Sequence, residues 1–280
     1  REASAARSAL VTLLRKTRVL AFDCDGVLWR SGEAVTGAKD MVSTALAGGA
    51  QVAFVTNNST KTRGQYVRKI ETVLGVTVEE GCVFGSAYAA TKLCAKHGIT
   101  KAYVIGEKGL VKELQAGGVE CVQVDDHPVS DGGWDVGPAA LFPDVNAIVC
   151  GFDPGFTYRK LALAGAYLRR HDYDGGGERV LFMATNRDKT FPGRHLILPG
   201  GGSLIASIVT GSGREPDIVA GKPSASLMDL VQHGMGGVDM TQEGIMVGDR
   251  LDTDIQWAAA AGVPSILVLT GVTSEAQQGH

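Results

Sequence analysis

Short apolar runs that stop at turn-forming or acidic residues recur along this chain, and helical periodicity fills the intervals between them. Val19-Leu20-Ala21-Phe22 is followed by two acids and Gly26, the pattern of a buried strand closed by a turn. Gln51-Val52-Ala53-Phe54-Val55 is a second such run, and it ends at Thr56-Asn57-Asn58-Ser59. Beyond it Val67, Ile70 and Leu74 recur at helical spacing. Further strand-like runs lie at 102–105, 121–124, 147–150 and 180–184, and the spacing predicts an amphipathic, core-facing helix over 158–170. Near the end, Ile245-Met246-Val247 leads into Gly248-Asp249; a helix is predicted over 253–261 and a strand over 265–269. Residues 1–16 predict a partly apolar helix.

Alternation of strands and helices predicts parallel sheets covered on both faces. In such sheets ligands bind beyond the carboxyl ends of the strands. Polar clusters fall at that place after three runs: Asp23 and Asp25, Thr56 and Asn57, and Asp249. The middle of the chain repeats the α/β pattern and is read as a second unit inserted into the first. The expected division is 1–84, 85–217 and 218–280, with joints near 81–85 and 211–216. Residues 125–144 form a long loop rich in Gly, Pro and Asp.

Composition narrows the function without naming it. A chain of 280 residues buries a sizeable core as one large domain or two. Net charge is −3 with no long basic run, so nucleic acid is not the expected partner. No apolar stretch reaches the ~18 residues of a membrane span. The five cysteines are scattered without C-x-x-C spacing, which argues against a zinc site or disulfide framework and makes a reducing, cytoplasmic compartment the expectation.

Asp23 and Asp25, two residues apart at a strand end, suit either a hard cation or a nucleophile with a general acid/base; alone they would more often be an acidic surface turn. Asp249, again at a strand end, supplies with Asp23 the pair of carboxylates that Mg²⁺ ordinarily takes. Asp252 is read as a local acid at a helix start. Thr56, with Asn57 and nearby backbone N–H groups, suits phosphoryl oxygens, while Ser59 or Thr60 is the expected cap of a helix from Lys61 onward. Lys222, in Gly221-Lys222-Pro223-Ser224, stands at a junction stiffened by proline and suits neutralising both an attacking carboxylate and a phosphoryl group.

Taken in order, D-x-D-G at 23–26, Thr56 after a strand, Lys222, and G-D-x-x-x-x-D at 248–254 resemble the haloacid dehalogenase (HAD) superfamily of phosphohydrolases. Phe22-Asp23-Cys24-Asp25-Gly26-Val27-Leu28-Trp29, Thr56-Asn57-Asn58-Ser59-Thr60-Lys61-Thr62-Arg63, Gly221-Lys222-Pro223-Ser224 and Val247-Gly248-Asp249-Arg250-Leu251-Asp252-Thr253-Asp254-Ile255 look like its phosphoglycolate / 4-nitrophenyl phosphatase branch. Gly151-Phe152-Asp153 and Ala184-Thr185-Asn186-Arg187-Asp188 resemble that branch's cap segments. The resemblance runs from about residue 17 to 273. It departs at Pro199-Gly200-Gly201-Gly202-Ser203, where the branch more often carries Thr or Ala centrally, and after Leu269-Thr270-Gly271-Val272, where relatives usually continue with another strand and helix.

The resemblance implies a Rossmann-like parallel-sheet HAD core with an inserted α/β C2-type cap, and hydrolysis of a small phosphorylated metabolite with Mg²⁺. It implies Asp23 as nucleophile forming an aspartyl-phosphate and Asp25 as proton carrier. The metal would be held by Asp23, the Asp25 backbone carbonyl and Asp249. Thr56, Asn57, Asn58 and Lys222 would bind phosphate, with Asp254 orienting Lys222 or a metal-bound water. Cap candidates for substrate contact are Asn186, Arg187, Asp188 and Lys189, with Arg194 or His195 meeting a substrate carboxylate; each is equally a solvated loop residue. A homodimer through the caps is also implied. Rival readings are a pyridoxal phosphate or phosphotyrosine phosphatase, a phosphomutase, and a metabolite-binding protein that has lost chemistry. Cys24, between two acids, is read as a poor oxidation switch, and Trp29 and Trp134 as packing residues.

Overall fold

The computed structural model describes residues 13–14, 16–129, 135–173, 179–193 and 196–273. The chain divides into two compact units: Arg1–Thr56, Tyr66–Phe84 and Pro223–His280 form the first, and Asn57–Gln65 with Gly85–Lys222 the second. Each is built on a five-stranded sheet. In chain order the strands are β1 (Val19–Phe22), β2 (Gln51–Thr56), β3 (Val83–Gly85), β4 (Lys101–Ile105), β5 (Glu120–Val122), β6 (Ala147–Cys150), β7 (Leu181–Ala184), β8 (Ile218–Val219), β9 (Gly244–Gly248) and β10 (Ser265–Leu267).

The first sheet has the order β10-β9-β1-β2-β3, with β1 parallel to both β9 and β2 and β9 parallel to β10. From β1 the chain winds one way to β2 and β3; β9 and β10 lie on the other side. The switch point therefore falls between β1 and β9, whose last paired residues are Phe22 and Val247. All four residues of β1 are buried, as the unbroken apolar run requires of a central parallel strand. Its core cluster includes Leu20, Phe22, Phe54, Trp29, Tyr66, Ile70 and Leu74; full burial of each such side chain contributes about 1.5–3 kcal/mol.

The second sheet, β8-β7-β6-β4-β5, is parallel throughout. Its switch point lies between β4 and β6, where Ile105 pairs with Cys150. A separate cluster, with Tyr103, Ile148, Tyr167, Phe182 and Ile205, fills its core.

Several boundaries differ from the sequence expectations. Residues 218–222 go with the inserted unit, because Ile218 and Val219 pair with Met183 and Ala184. Residues 57–65 go there too. The 81–85 joint contains β3, an edge strand of the first sheet. The helix after β2 spans Arg63–Leu74 and buries Tyr66, Ile70 and Leu74 rather than Val67. Thr62, not Ser59 or Thr60, caps it: Thr62 Oγ1 accepts from Gln65 N at 3.2 Å, and Gln65 Oε1 accepts from Thr62 N at 2.8 Å, a reciprocal capping box. The predicted 253–261 helix begins as a π turn over Leu251–Ile255 before an α-helix over Gln256–Ala260. The helix expected over 158–170 ends at Leu168.

Candidate active site

The chain leaves β1 at Asp23, whose N–H donates to Val247 O at 2.9 Å. It then folds back on itself. Leu28 N donates to Cys24 O at 2.9 Å, and Gly26 N to Trp29 O at 2.8 Å. Gly26 sits at φ 98°, a conformation that L side chains rarely adopt. A Cβ there would also meet Asp249 Oδ2 at 2.6 Å. The glycine of the D-x-D-G motif is thus needed for the turn and for the approach of a second acid.

Asp249 follows β9 across the switch point and is fully buried. Its Oδ2 accepts from Val272 N at 2.7 Å, and its carbonyl accepts from Thr273 N at 3.1 Å. A Cβ on Gly271 would overlap the Asp249 carboxylate. Asp254 arrives from the π turn: its Oδ2 accepts from the N–H groups of Asp249 and Arg250, each at 3.1 Å. A Cβ on Gly248 would collide with it.

Asp23, Asp249 and Asp254 are all buried, and one carboxylate oxygen from each lies within 4.8 Å of the others. Three acids so close, and away from water, repel unless a cation joins them. An all-oxygen donor set fits a hard divalent ion. Asp254 therefore stands with the acids themselves, whereas the sequence assigned it only to orientation. The Asp25 side chain lies outside this group. Its Oδ1 accepts from Trp29 Nε1 at 2.7 Å and lies 3.4 Å from Lys69 Nζ. Lys69 in turn sits 4.1 Å from the Trp29 ring centroid. Trp29 is buried as expected of a packing residue, but its indole N–H also holds an acid. Sequence reasoning missed this role and Lys69 altogether; helical spacing from Tyr66 was the available signal.

Thr56, buried at the end of β2, has its Oγ1 3.5 Å from the Tyr66 hydroxyl. Burial, and then the charge of Asp25, push the Tyr66 hydroxyl well above its usual range, so it stays protonated. Cys24 is fully buried. Asp252 is exposed and pairs with Arg250 at 3.0 Å.

The other expected residues belong to the second unit. Lys222 is 1 % exposed, a burial lysine seldom reaches without a task. Asn57 spends its side chain on protein partners: Oδ1 accepts from Lys222 N at 2.7 Å, and Nδ2 donates to Lys222 O at 3.1 Å. Nδ2 also faces the Asp188 carboxylate at 3.1 and 3.2 Å. The Asn57 side chain is therefore no phosphate ligand. Asn58 Oδ1 accepts from Thr60 N and Thr60 Oγ1, each at 2.8 Å, forming a local turn. Asn186, 5 % exposed, donates to Asn57 O at 2.8 Å and accepts from Asp188 N at 3.0 Å. It is a buried tie rather than a surface contact. Arg187 is half-exposed and pairs with Glu215 at 2.9 Å. Arg194, His195 and Trp134 lie outside the described residues.

A doubly wound parallel sheet whose switch point gathers three buried acids is the framework of an α/β enzyme. Residues 20–120 match the family of haloacid dehalogenase-like hydrolases, and residues 219–280 match a HAD-hydrolase-like family. Human glycerol-3-phosphate phosphatase is 40% identical over 94% of this chain and 82% of its own length. A chloroplastic phosphoglycolate phosphatase of Arabidopsis thaliana is 38% identical over 94% and 71%. Among solved structures, the glycerol phosphate phosphatase of Mycobacterium tuberculosis in complex with magnesium is 30% identical, with a TM-score of 0.75 over 94% of this chain and 71% of that one. The chain belongs to the haloacid dehalogenase-like hydrolases, with the inserted α/β unit as its cap domain. Within them it is a phosphatase. Among the described residues, no helix is long and apolar enough to cross a membrane.

Proposed function

We propose that the protein is a magnesium-dependent phosphatase of small phosphate monoesters, working through an aspartyl-phosphate on Asp23. The observation that carries this reading is the trio of buried carboxylates Asp23, Asp249 and Asp254 at the switch point. These three would hold the magnesium ion. When bound, the ion offsets repulsion between the attacking carboxylate and the anionic phosphate.

A carboxylate oxygen of Asp23 attacks phosphorus, and the bond from phosphorus to the leaving oxygen breaks. Asp25 gives that oxygen its proton. Water then attacks the aspartyl-phosphate, Asp25 takes a proton from it, and inorganic phosphate leaves with Asp23 regenerated. Thr56 Oγ1 and Lys222 bind phosphoryl oxygens, over which transition-state charge is spread. Trp29 and Lys69 hold the Asp25 carboxylate at the edge of the site.

Relatives named for glycerol-3-phosphate and phosphoglycolate support a small, anionic substrate. A panel of 2-phosphoglycolate, glycerol phosphate, pyridoxal phosphate and 4-nitrophenyl phosphate, with Mg²⁺ present and chelated, identifies the preferred ester. Asp23→Asn should abolish turnover in a folded protein, and retained turnover sinks the nucleophile assignment. The cap is the surface expected to form a homodimer: Leu196 and Ile197 are 72% and 71% exposed there. A monomeric mass by light scattering refutes that. The scattered cysteines, none at C-x-x-C spacing, support a reducing compartment such as the cytosol.

A further inference from the structure

We propose that Asn57 is a positioning residue that acts through Lys222, with Asp188 fixing the orientation of its amide. The inference rests on the reading of Lys222 as a phosphate-binding cation. Asn57 is 7 % exposed. Its carboxamide engages the main chain of Lys222 from both sides, accepting the N–H at 2.7 Å and donating to the C=O at 3.1 Å. This is the pairing that one strand residue gives another. It fixes both peptide planes flanking the Lys222 Cα, and with them the direction in which the side chain leaves.

The amide cannot turn over. Lys222 N–H requires an acceptor, and the Asp188 carboxylate requires a donor, so Oδ1 and Nδ2 each have one permitted place. Asp188 itself is held by Asn186, whose Oδ1 accepts from Asp188 N. The Asn57 carbonyl is gripped as well, by Ser86 Oγ at 2.7 Å and Asn186 Nδ2 at 2.8 Å. Gly221 completes the arrangement. A Cβ there would strike Asn57 Oδ1 and come within 2.7 Å of Thr185 O. The glycine before the lysine is what lets the asparagine reach it.

A double-mutant cycle tests the assignment. Asn57→Ala should lower kcat/KM about 10²-fold, the scale of a displaced catalytic group, and Lys222→Ala should lower it further. In the Lys222→Ala background, adding Asn57→Ala should cost no more than about twofold, the scatter expected of independent measurements. Additive losses overturn the positioning role, because a direct phosphate contact or a purely structural one does not depend on Lys222. Wild-type turnover in Lys222→Ala overturns instead the reading of Lys222 on which the proposal stands. Asn57→Asp turns a carboxylate toward Asp188 and removes the donor to Lys222 O; adding Asp188→Asn restores the donor–acceptor pair with residue 188 alone. The double variant should recover about tenfold of the activity lost in Asn57→Asp, on the scale of one recovered charge-assisted hydrogen bond; no recovery overturns the role given to Asp188. Where Asn57→Ala does not fold, as judged by thermal melting, Asp188→Ala replaces it in the cycle with the same expectation of non-additivity.

Discussion

The Asp254 carboxylate accepts the main-chain N–H of Asp249 at 3.1 Å while standing among the buried acids itself. One side chain thus fixes the backbone that carries a neighbouring acid and adds its own charge to the same site. Asp254→Asn keeps an acceptor for that N–H but removes the charge. Magnesium activation should weaken by at least about 10- to 100-fold, the loss usual even for groups that only support a metal's ligands, with the melting temperature nearly unchanged. A titration of activity and of binding heat against Mg²⁺ measures it.

Gly271 leaves no room for a Cβ beside Asp249, and the next residue donates its N–H to that carboxylate. Gly271→Ala should displace the acid or the segment that wraps it. The expected result is at least about tenfold weaker magnesium affinity, again on the scale of lost supporting contacts, with circular dichroism unchanged. Gly26→Ala adds an L side chain at positive φ, which costs about 1–2 kcal/mol of stability in urea denaturation.

Tyr66 is buried beside Asp25 and Asp23, and its hydroxyl is pushed well above the usual range, first by burial. The unfolded chain loses this proton near pH 10 while the folded one keeps it. Tyr66 thus contributes stability that is fully present below pH ~10 and is lost as pH rises toward its folded value. Tyr66→Phe should flatten that alkaline decline in urea midpoints measured from pH 8 to 11. An unchanged slope would place the decline on other groups, such as Tyr103 and Tyr167, whose hydroxyls are also raised by burial.

In the cap, His127 Nδ1 lies 2.8 Å from Gln123 O and Nε2 lies 2.8 Å from the Tyr167 hydroxyl. Burial lowers its pKa, with Asp126 opposing and Arg159 adding to the shift. The unfolded chain binds a proton on this ring near pH 6.5 and the folded one resists it. The stabilisation is present above pH ~6.5 and fades as pH falls through the folded value. His127→Phe should cost about 1–3 kcal/mol at pH 8 through the lost hydrogen bonds, yet show a shallower fall in stability between pH 7 and 5.

The parallel α/β class, the apolar strands and Asp23, Thr56 and Asp249 at their carboxyl ends were all legible in the chain. A strand buried on both faces must be an unbroken apolar run, and the polar residue that ends it marks the sheet edge. The hydrophobic pattern also revealed an inserted unit, because it repeats the same alternation. It did not reveal that residues 57–65 belong to that unit. No local pattern distinguishes a loop that follows its own strand from one that hydrogen-bonds 165 residues away, as Asn57 does with Lys222. For the same reason Asn57 read as a phosphate ligand: a polar residue at a strand end shows its chemistry but not its partners. Asp254 joined the acid group itself, beyond an orienting role, because spacing along the chain sets which residues are near the turn, while the turn's dihedrals set where each carboxylate points. The types of residue in the site are local properties of the sequence. Which of them meet depends on strand order, on glycines that admit close approach, and on hydrogen bonds between distant segments, and only the folded chain decides those.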